Sequence, residues 1–143
     1  QVDEMTKYLT ELGLTATAFA FTDTNDVASV AQAACDASDV LYIPTDNTAA
    51  SNPEAMANGV LPAKVPVIAG EAGICEGCGI ATLSISYYDL GVATGKMAAK
   101  ILTGEADISQ RPVEYAPQVT KMYNAANCEA LGVTIPDGYE PMG

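Results

Sequence analysis

The sequence predicts an α/β fold, built as an open and mostly parallel sheet with helices on both faces. Short apolar runs typical of buried strands alternate along the chain with segments whose apolar residues recur at helical spacing. Strands connected through helices run parallel, because each crossover returns the chain to the same edge of the sheet. The 143 residues fit a single domain, and a hydrophobic content of 49% is enough for a packed core.

The amino-terminal half is predicted to alternate helices with strands. Apolar residues at helical spacing predict a first helix that ends at Gly13, a residue suited to the C′ position. Pro53 forbids an unbroken helix after residue 47, so we expect Asn52 to cap a new helix with Pro53 in its first position. The remaining segments are a strand at 15–21, a helix from Val27 onward, and buried strands at 39–43 and 65–69.

The carboxyl-terminal half begins with a Gly- and Cys-rich stretch, residues 72–79, which is expected to be a loop. The later segments are a strand at 80–86, a helix at 88–102 ended by Gly104, strands at 113–116 and 119–123, and a helix at 124–131. Gly91 and Gly95 lie on one face of the long helix, a spacing that indicates close packing against a neighbour.

Composition excludes several classes of function. Six basic and 18 acidic residues give a net charge of −12, and nucleic acid is not a predicted partner because phosphate binding requires clustered Lys and Arg. The chain contains no His, which excludes a Ser–His or Cys–His catalytic pair within it. No apolar run approaches the roughly 20 residues of a membrane span.

Polar residues follow three of the predicted strands, at the edge where ligands bind in open parallel sheets. Thr22 follows the first strand, Thr45, Asp46 and Asn47 follow the second, and Glu71 follows the third. Carboxylates there can hold an ammonium or hydroxyl group, and Thr and Asn can both donate and accept hydrogen bonds. Asp46 and Asn47 can equally serve as a helix cap and a turn. Three polar loops at one edge favour a ligand-binding site.

Cys75 and Cys78 form a C-x-x-C motif, which is compatible with a redox pair or half of a metal site. Without His or a second such motif, no metal site and no cofactor are predicted. A small disulfide between Cys75 and Cys78, or two free thiols, is favoured over a redox function. The remaining cysteines, Cys35 and Cys128, lie far away in the sequence.

Four strings of the sequence resemble the substrate-binding proteins of ABC transporters, in particular the tryptophan/tyrosine-type uptake family with the periplasmic-binding-protein type I fold. They are LYIPTDNTAAS (41–51), KVPVIAGE (64–71), GIATLSISYYDLGVATGKMAAKILTGE (79–105) and NAANCEALGVTIPDGY (124–139). The resemblance implies that residues 1–143 form the second lobe and hinge-crossing segments of a two-lobe protein whose N-terminal lobe is absent. Ser86 and Tyr87 would then lie at a hinge crossing, and Thr22, Thr45, Asp46, Asn47 and Glu71 would line the cleft.

The same resemblance implies a non-enzymatic, extracytoplasmic component of an ABC importer, either a cell-surface lipoprotein or periplasmic. It would bind a small zwitterion, an aromatic or apolar amino acid, between its lobes and dock on ABC permease subunits. The helix at 88–102 would pack on the absent lobe, so we expect an isolated fragment to self-associate or to be unstable. Two other readings remain open at this point: the ligand-sensing domain of a transcription regulator, and a thiol-redox protein using Cys75 and Cys78.

Overall fold

The computed structural model describes residues 1–142. In chain order the helices are α1 (Val2–Glu11), α2 (Val27–Asp36), α3 (Asn47–Ser51), α4 (Pro53–Val60), α5 (Ala72–Gly77), α6 (Tyr87–Leu102) and α7 (Ala125–Leu131). The strands are β1 (Leu41–Ile43), β2 (Val67–Ala69), β3 (Ala81–Ile85), β4 (Val119–Tyr123) and β5 (Glu140–Pro141), and 3-10 turns lie at Leu61–Ala63 and Ile108–Gln110. The chain divides into two units, residues 1–83 with the segment from Lys121 onward, and Ser84–Thr120.

The five strands form one sheet in the order β1-β2-β3-β4-β5. β1 pairs with β2, β2 with β3, and β4 with β5, each in parallel. The register places Ile43 beside Ala69 and Ala69 beside Thr82, so these three side chains share one face of the sheet. The predicted α/β class with a mostly parallel sheet is confirmed.

Two apolar clusters lie on opposite faces of this sheet. The larger cluster contains Ile43 and Ala69 and is covered by residues of α2, α4 and α5. The smaller cluster joins Ala81, whose side chain points to the other face, with Cys128 of α7. The helices therefore cover both faces, as the alternating pattern predicts.

The tightest approach in the first unit is between α2 and α4 at Gly59. A Cβ at Gly59 would lie 2.6 Å from the carbonyl oxygen of Ala28 and 2.9 Å from the Cβ of Ala31. Gly59 therefore allows the two helix backbones to come closer than any larger residue would permit. Asn52 follows α3 and Pro53 begins α4, which confirms the predicted break. Asn52 holds the N-cap position but makes no capping hydrogen bond, because its side-chain amide donates to the Thr48 carbonyl of α3 instead.

The second unit, residues 84–120, is dominated by α6, which begins after Ser86 and ends before Gly104 in the left-handed conformation. No residue of α6 is buried, and Tyr88 and Leu102 are 81% and 86% exposed. A Cβ at Gly91 or Gly95 would meet nothing within 4 Å. The close packing predicted from the glycine pair is thus not made within residues 1–142.

Three sequence predictions of secondary structure are wrong. Residues 15–21 and 113–116 are not strands, because they pair with no other strand and most of their side chains are exposed. The predicted loop at 72–79 contains α5, which Glu71 caps. The short strand β5 was missed, since two residues carry no recognisable pattern.

Candidate functional site

Two loops meet at the carboxyl ends of β1 and β2, and we call their residues Thr45, Asp46, Gly70 and Glu71 the rim. The Thr45 hydroxyl donates a hydrogen bond to the Gly70 carbonyl at 3.0 Å. A Cβ at Gly70 would lie only 2.6 Å from the Thr45 nitrogen, so the loops approach as closely as glycine allows. The structure thus brings Asp46 and Glu71, predicted as neighbours at this edge, onto two loops in direct contact.

Both rim carboxylates also cap the helix that follows them. Asp46 Oδ1 accepts a hydrogen bond from the Ala49 backbone N–H at 2.9 Å. Glu71 uses both oxygens, accepting from the N–H of Gly73 at 2.9 Å and from the N–H of Ile74. Each bond satisfies a donor that the helix itself leaves free. Within residues 1–142 no protein hydrogen bond reaches Asp46 Oδ2, so half-buried Asp46 keeps one oxygen for another partner.

Thr22 and Asn47, the other two predicted ligand-binding residues, lie outside the rim. Thr22 is exposed, and its N–H and hydroxyl both donate to the Asp26 carboxylate, at 3.0 and 2.9 Å to Oδ2. The backbone hydrogen bond from Thr22 lowers the pKa of Asp26. Across the described residues no hydrogen bond connects this loop to the rim. Asn47 is the exposed first residue of α3, directly beside Asp46.

Gln1 is a rim contact that the sequence did not predict. Its Oε1 accepts from the Thr45 N–H at 2.8 Å, and its Nε2 donates to the Thr45 hydroxyl at 3.3 Å. The Tyr42 hydroxyl reaches the same Oε1 at 3.5 Å. No motif could have revealed this contact, because 44 residues separate Gln1 from Thr45 and only the fold brings them together.

Ser86 and Tyr87 lie in the second unit. The Ser86 side chain accepts a hydrogen bond from the Asp89 N–H at 3.1 Å and caps α6. Tyr87, the first residue of the helix, is 62% exposed. The hinge role that the resemblance implies for them stays a prediction.

The four cysteines are buried free thiols, so of the two favoured readings of Cys75 and Cys78 the structure has the free thiols and not the disulfide. Burial and the neighbouring thiols of Cys78 and Cys128 raise the pKa of Cys75 to about 12. Burial, with Cys35 nearby, raises the pKa of Cys78 to about 11. A redox cysteine needs the opposite, an accessible thiol with a lowered pKa. The arrangement therefore argues against the thiol-redox alternative.

A scan against protein-family models matches residues 1–139 to the family described as ABC transporter substrate binding protein. The chain belongs to the ABC transporter substrate-binding protein family. The family that the four sequence strings resemble is thereby confirmed.

A curated protein similar to this chain is a tyrosine-binding protein of Clostridioides difficile (strain R20291). It is 31% identical over 93 residues, which cover 65% of this chain and 27% of that protein. The chain therefore spans about a quarter of the length of this curated relative.

Two solved structures share the fold over nearly the whole chain. An ABC domain in complex with L-Trp from Streptococcus pneumonia is 32% identical, with a TM-score of 0.87, and the match covers 99% of this chain and 50% of that one. A ligand-free, open substrate-binding protein with adhesive properties from Clostridium difficile is 33% identical, with a TM-score of 0.74, over 99% of this chain and 48% of that one. The chain thus corresponds to about half of each of these two solved structures.

The described residues contain neither a membrane-spanning helix nor a cluster of metal ligands. None of the helices in residues 1–142 combines the length and apolar character that crossing a bilayer demands. Over the same residues, no three His, Cys, Asp or Glu side chains gather in a way that could hold a metal ion.

Proposed function

We propose that this chain is one lobe of a solute-binding component of an ABC importer, and that it binds an aromatic or other apolar amino acid in a cleft between two lobes. The component is non-enzymatic and extracytoplasmic, and it delivers its ligand to ABC permease subunits. The observation that carries the proposal is the rim, where the bond from Thr45 to Gly70 O holds the loops of Asp46 and Glu71 together.

The chemistry of the rim suits the ammonium group of an amino acid. Asp46 Oδ2 is free of protein donors within residues 1–142, and a charge-assisted hydrogen bond from an ammonium to a carboxylate is among the stronger polar contacts. Asn47, exposed beside it, can donate and accept. An aromatic side chain is inferred from the relatives, one of them tyrosine-binding and one in complex with L-Trp.

The second half of the cleft is proposed to come from a separate lobe. The chain corresponds to about half of its solved relatives, and no residue of α6 is buried. We assign the open face of α6, including Gly91 and Gly95, to contact with that other lobe, and Ser86 and Tyr87 to the hinge. An isolated chain that exposes this face is expected to self-associate or unfold readily, since each exposed large apolar side chain forfeits about 1.5–3 kcal/mol.

The test is calorimetry with L-Trp and L-Tyr on the protein at its natural length, comparing wild type with Asp46→Asn and Asp46→Ala. Asn at position 46 still accepts from the Ala49 N–H, so the cap remains while the charge is removed. Both variants are expected to weaken binding by about tenfold or more, which corresponds to about 1.4 kcal/mol. Only Asp46→Ala should also lower the melting temperature, through loss of the cap.

The matched control is Asp36→Asn. Asp36 lies at the end of α2, before β1 and thus at the opposite edge of the sheet, and its carboxylate accepts only from Gln32 of its own helix. This variant should bind as wild type does. Unchanged affinity in Asp46→Asn removes Asp46 from the site, and absence of amino-acid binding by wild type overturns the proposed function.

A further inference from the structure

The amino-terminal end of α1 lies against the rim, although α1 itself has no buried residue. Gln1, directly before α1, bonds to Thr45 through its side-chain amide.

The amide of Gln1 satisfies both polar groups of Thr45 at once. Its Oε1 accepts from the Thr45 N–H at 2.8 Å and its Nε2 donates to Thr45 Oγ1 at 3.3 Å. The hydroxyl that accepts from Gln1 then donates to Gly70 O at 3.0 Å. A continuous chain of hydrogen bonds therefore runs from α1 through the Asp46 loop to the Glu71 loop. Such chains stiffen the groups they connect.

We propose that Gln1 is a positioning residue for ligand binding, which acts through Thr45 to hold the loops of Asp46 and Glu71 at a fixed separation. The inference rests on the proposed function of the rim. Gln1 need not touch the ligand. Its contribution is to restrict the motion of the rim loops in the unliganded protein, so that less conformational entropy is lost when the ligand binds.

The test uses Gln1→Met and Gln1→Glu in the protein at its natural length, with L-Trp and L-Tyr as ligands. Met has the length of Gln but forms neither hydrogen bond. Glu keeps an acceptor for the Thr45 N–H and loses the donor to Thr45 Oγ1. The matched control is Gln32→Met, because the side chain of partly buried Gln32 bonds, within residues 1–142, only to Asp36 of its own helix.

Two quantities are measured for each variant: the Kd by calorimetry and the hydrogen-exchange rate of the Thr45 amide by NMR without ligand. Gln1→Met is expected to weaken binding about threefold to tenfold, as loss of one or two exposed hydrogen bonds implies, and to accelerate exchange at Thr45. Gln1→Glu should preserve the protection of the Thr45 amide and bind better than Gln1→Met. A purely structural role would lower the melting temperature without separating the two variants in this way.

The outcomes distinguish this inference from the proposed function. If wild type binds and Gln1→Met binds equally well, the positioning role is overturned while the proposed function stands. If Gln1→Met weakens binding but leaves Thr45 exchange unchanged, Gln1 does not act through Thr45 and the inference is again overturned. If wild type binds neither amino acid, the proposed function fails and the ligand role of Gln1 fails with it.

Discussion

The contact between α2 and α4 makes a sharp prediction for Gly59→Ala. The new Cβ would lie 2.6 Å from Ala28 O and 2.9 Å from Ala31 Cβ, whereas ordinary contacts begin near 3.4 Å. The first of these atoms belongs to helix backbone, so it cannot move aside by a side-chain rotation. The two helices must separate by several tenths of an ångström, through a core that contains Val27 and Val60.

The magnitude follows from two opposing effects. Overpacking of this kind costs about 1–3 kcal/mol. Replacing a helical Gly by Ala returns about 0.5–1 kcal/mol, because Ala loses less backbone freedom on folding. We therefore expect Gly59→Ala to lower the free energy of unfolding by about 1 kcal/mol, the difference between the midpoints of these two ranges.

Gly95→Ala is the matched control in the same chain. Gly95 lies inside α6 without a positive φ, and a Cβ there meets nothing within 4 Å. Only the gain in helix propensity remains, so this variant should be more stable than wild type by about 0.5–1 kcal/mol. Urea unfolding followed by circular dichroism measures both. The packing argument is refuted if Gly59→Ala is as stable as wild type, or if the two variants shift stability in the same direction.

Three further predictions concern the thiols and α6. In the protein at its natural length, Gly95→Ala should lose its stabilising effect if α6 packs on another lobe, and calorimetric melting that still shows the gain would contradict that packing. Because the thiols are buried, Ellman's reagent at pH 8 should react slowly with the folded chain and rapidly after denaturation; fast reaction in the folded state would contradict their burial. The contribution of the two thiols to the free energy of unfolding should be fully present below pH 9. Above pH 9 it should fall by about 1.4 kcal/mol per pH unit for each of Cys75 and Cys78. The cause is that the thiols of the unfolded chain ionise near pH 9.0, whereas the folded chain raises the pKa of Cys75 to about 12 and that of Cys78 to about 11. Urea unfolding at pH 8 and 10 tests this, with a shallower fall expected when both cysteines are replaced by Ala.

Helix boundaries were predictable where local chemistry decides them. Gly13 and Gly104 adopt positive φ at the ends of α1 and α6, and Pro53 separates α3 from α4. These residues act through their own backbone, so their effect is visible in the sequence. Residues 72–77 show that composition alone does not predict a helix reliably. This Gly- and Cys-rich stretch is helical because Glu71 supplies two hydrogen-bond acceptors to its first turn.

Strand predictions failed where the outcome depends on a neighbour. Residues 15–21 have the β-branched and aromatic character of a strand, yet a strand exists only with a hydrogen-bonding partner. β1 pairs with β2 in the sheet, and residues 15–21 pair with nothing among residues 1–142. The same dependence on tertiary contacts hid Gln1, whose hydrogen bonds to Thr45 join positions far apart in the sequence.

The dual role that we propose for Asp46 connects the two readings that the sequence left open, helix cap and ligand contact. A carboxylate has two oxygens, and the cap occupies only Oδ1. The hydrogen bond from the Ala49 N–H to that oxygen fixes the side chain in one rotamer before any ligand binds. Its side-chain entropy is therefore lost on folding and not on binding. The other oxygen, Oδ2, is then held by the same rotamer and accepts no protein hydrogen bond within residues 1–142. If Asp46 binds the ligand as we propose, capping and binding support each other. Asp46→Asn keeps the cap and removes the charge, so it separates the two roles more cleanly than any truncation.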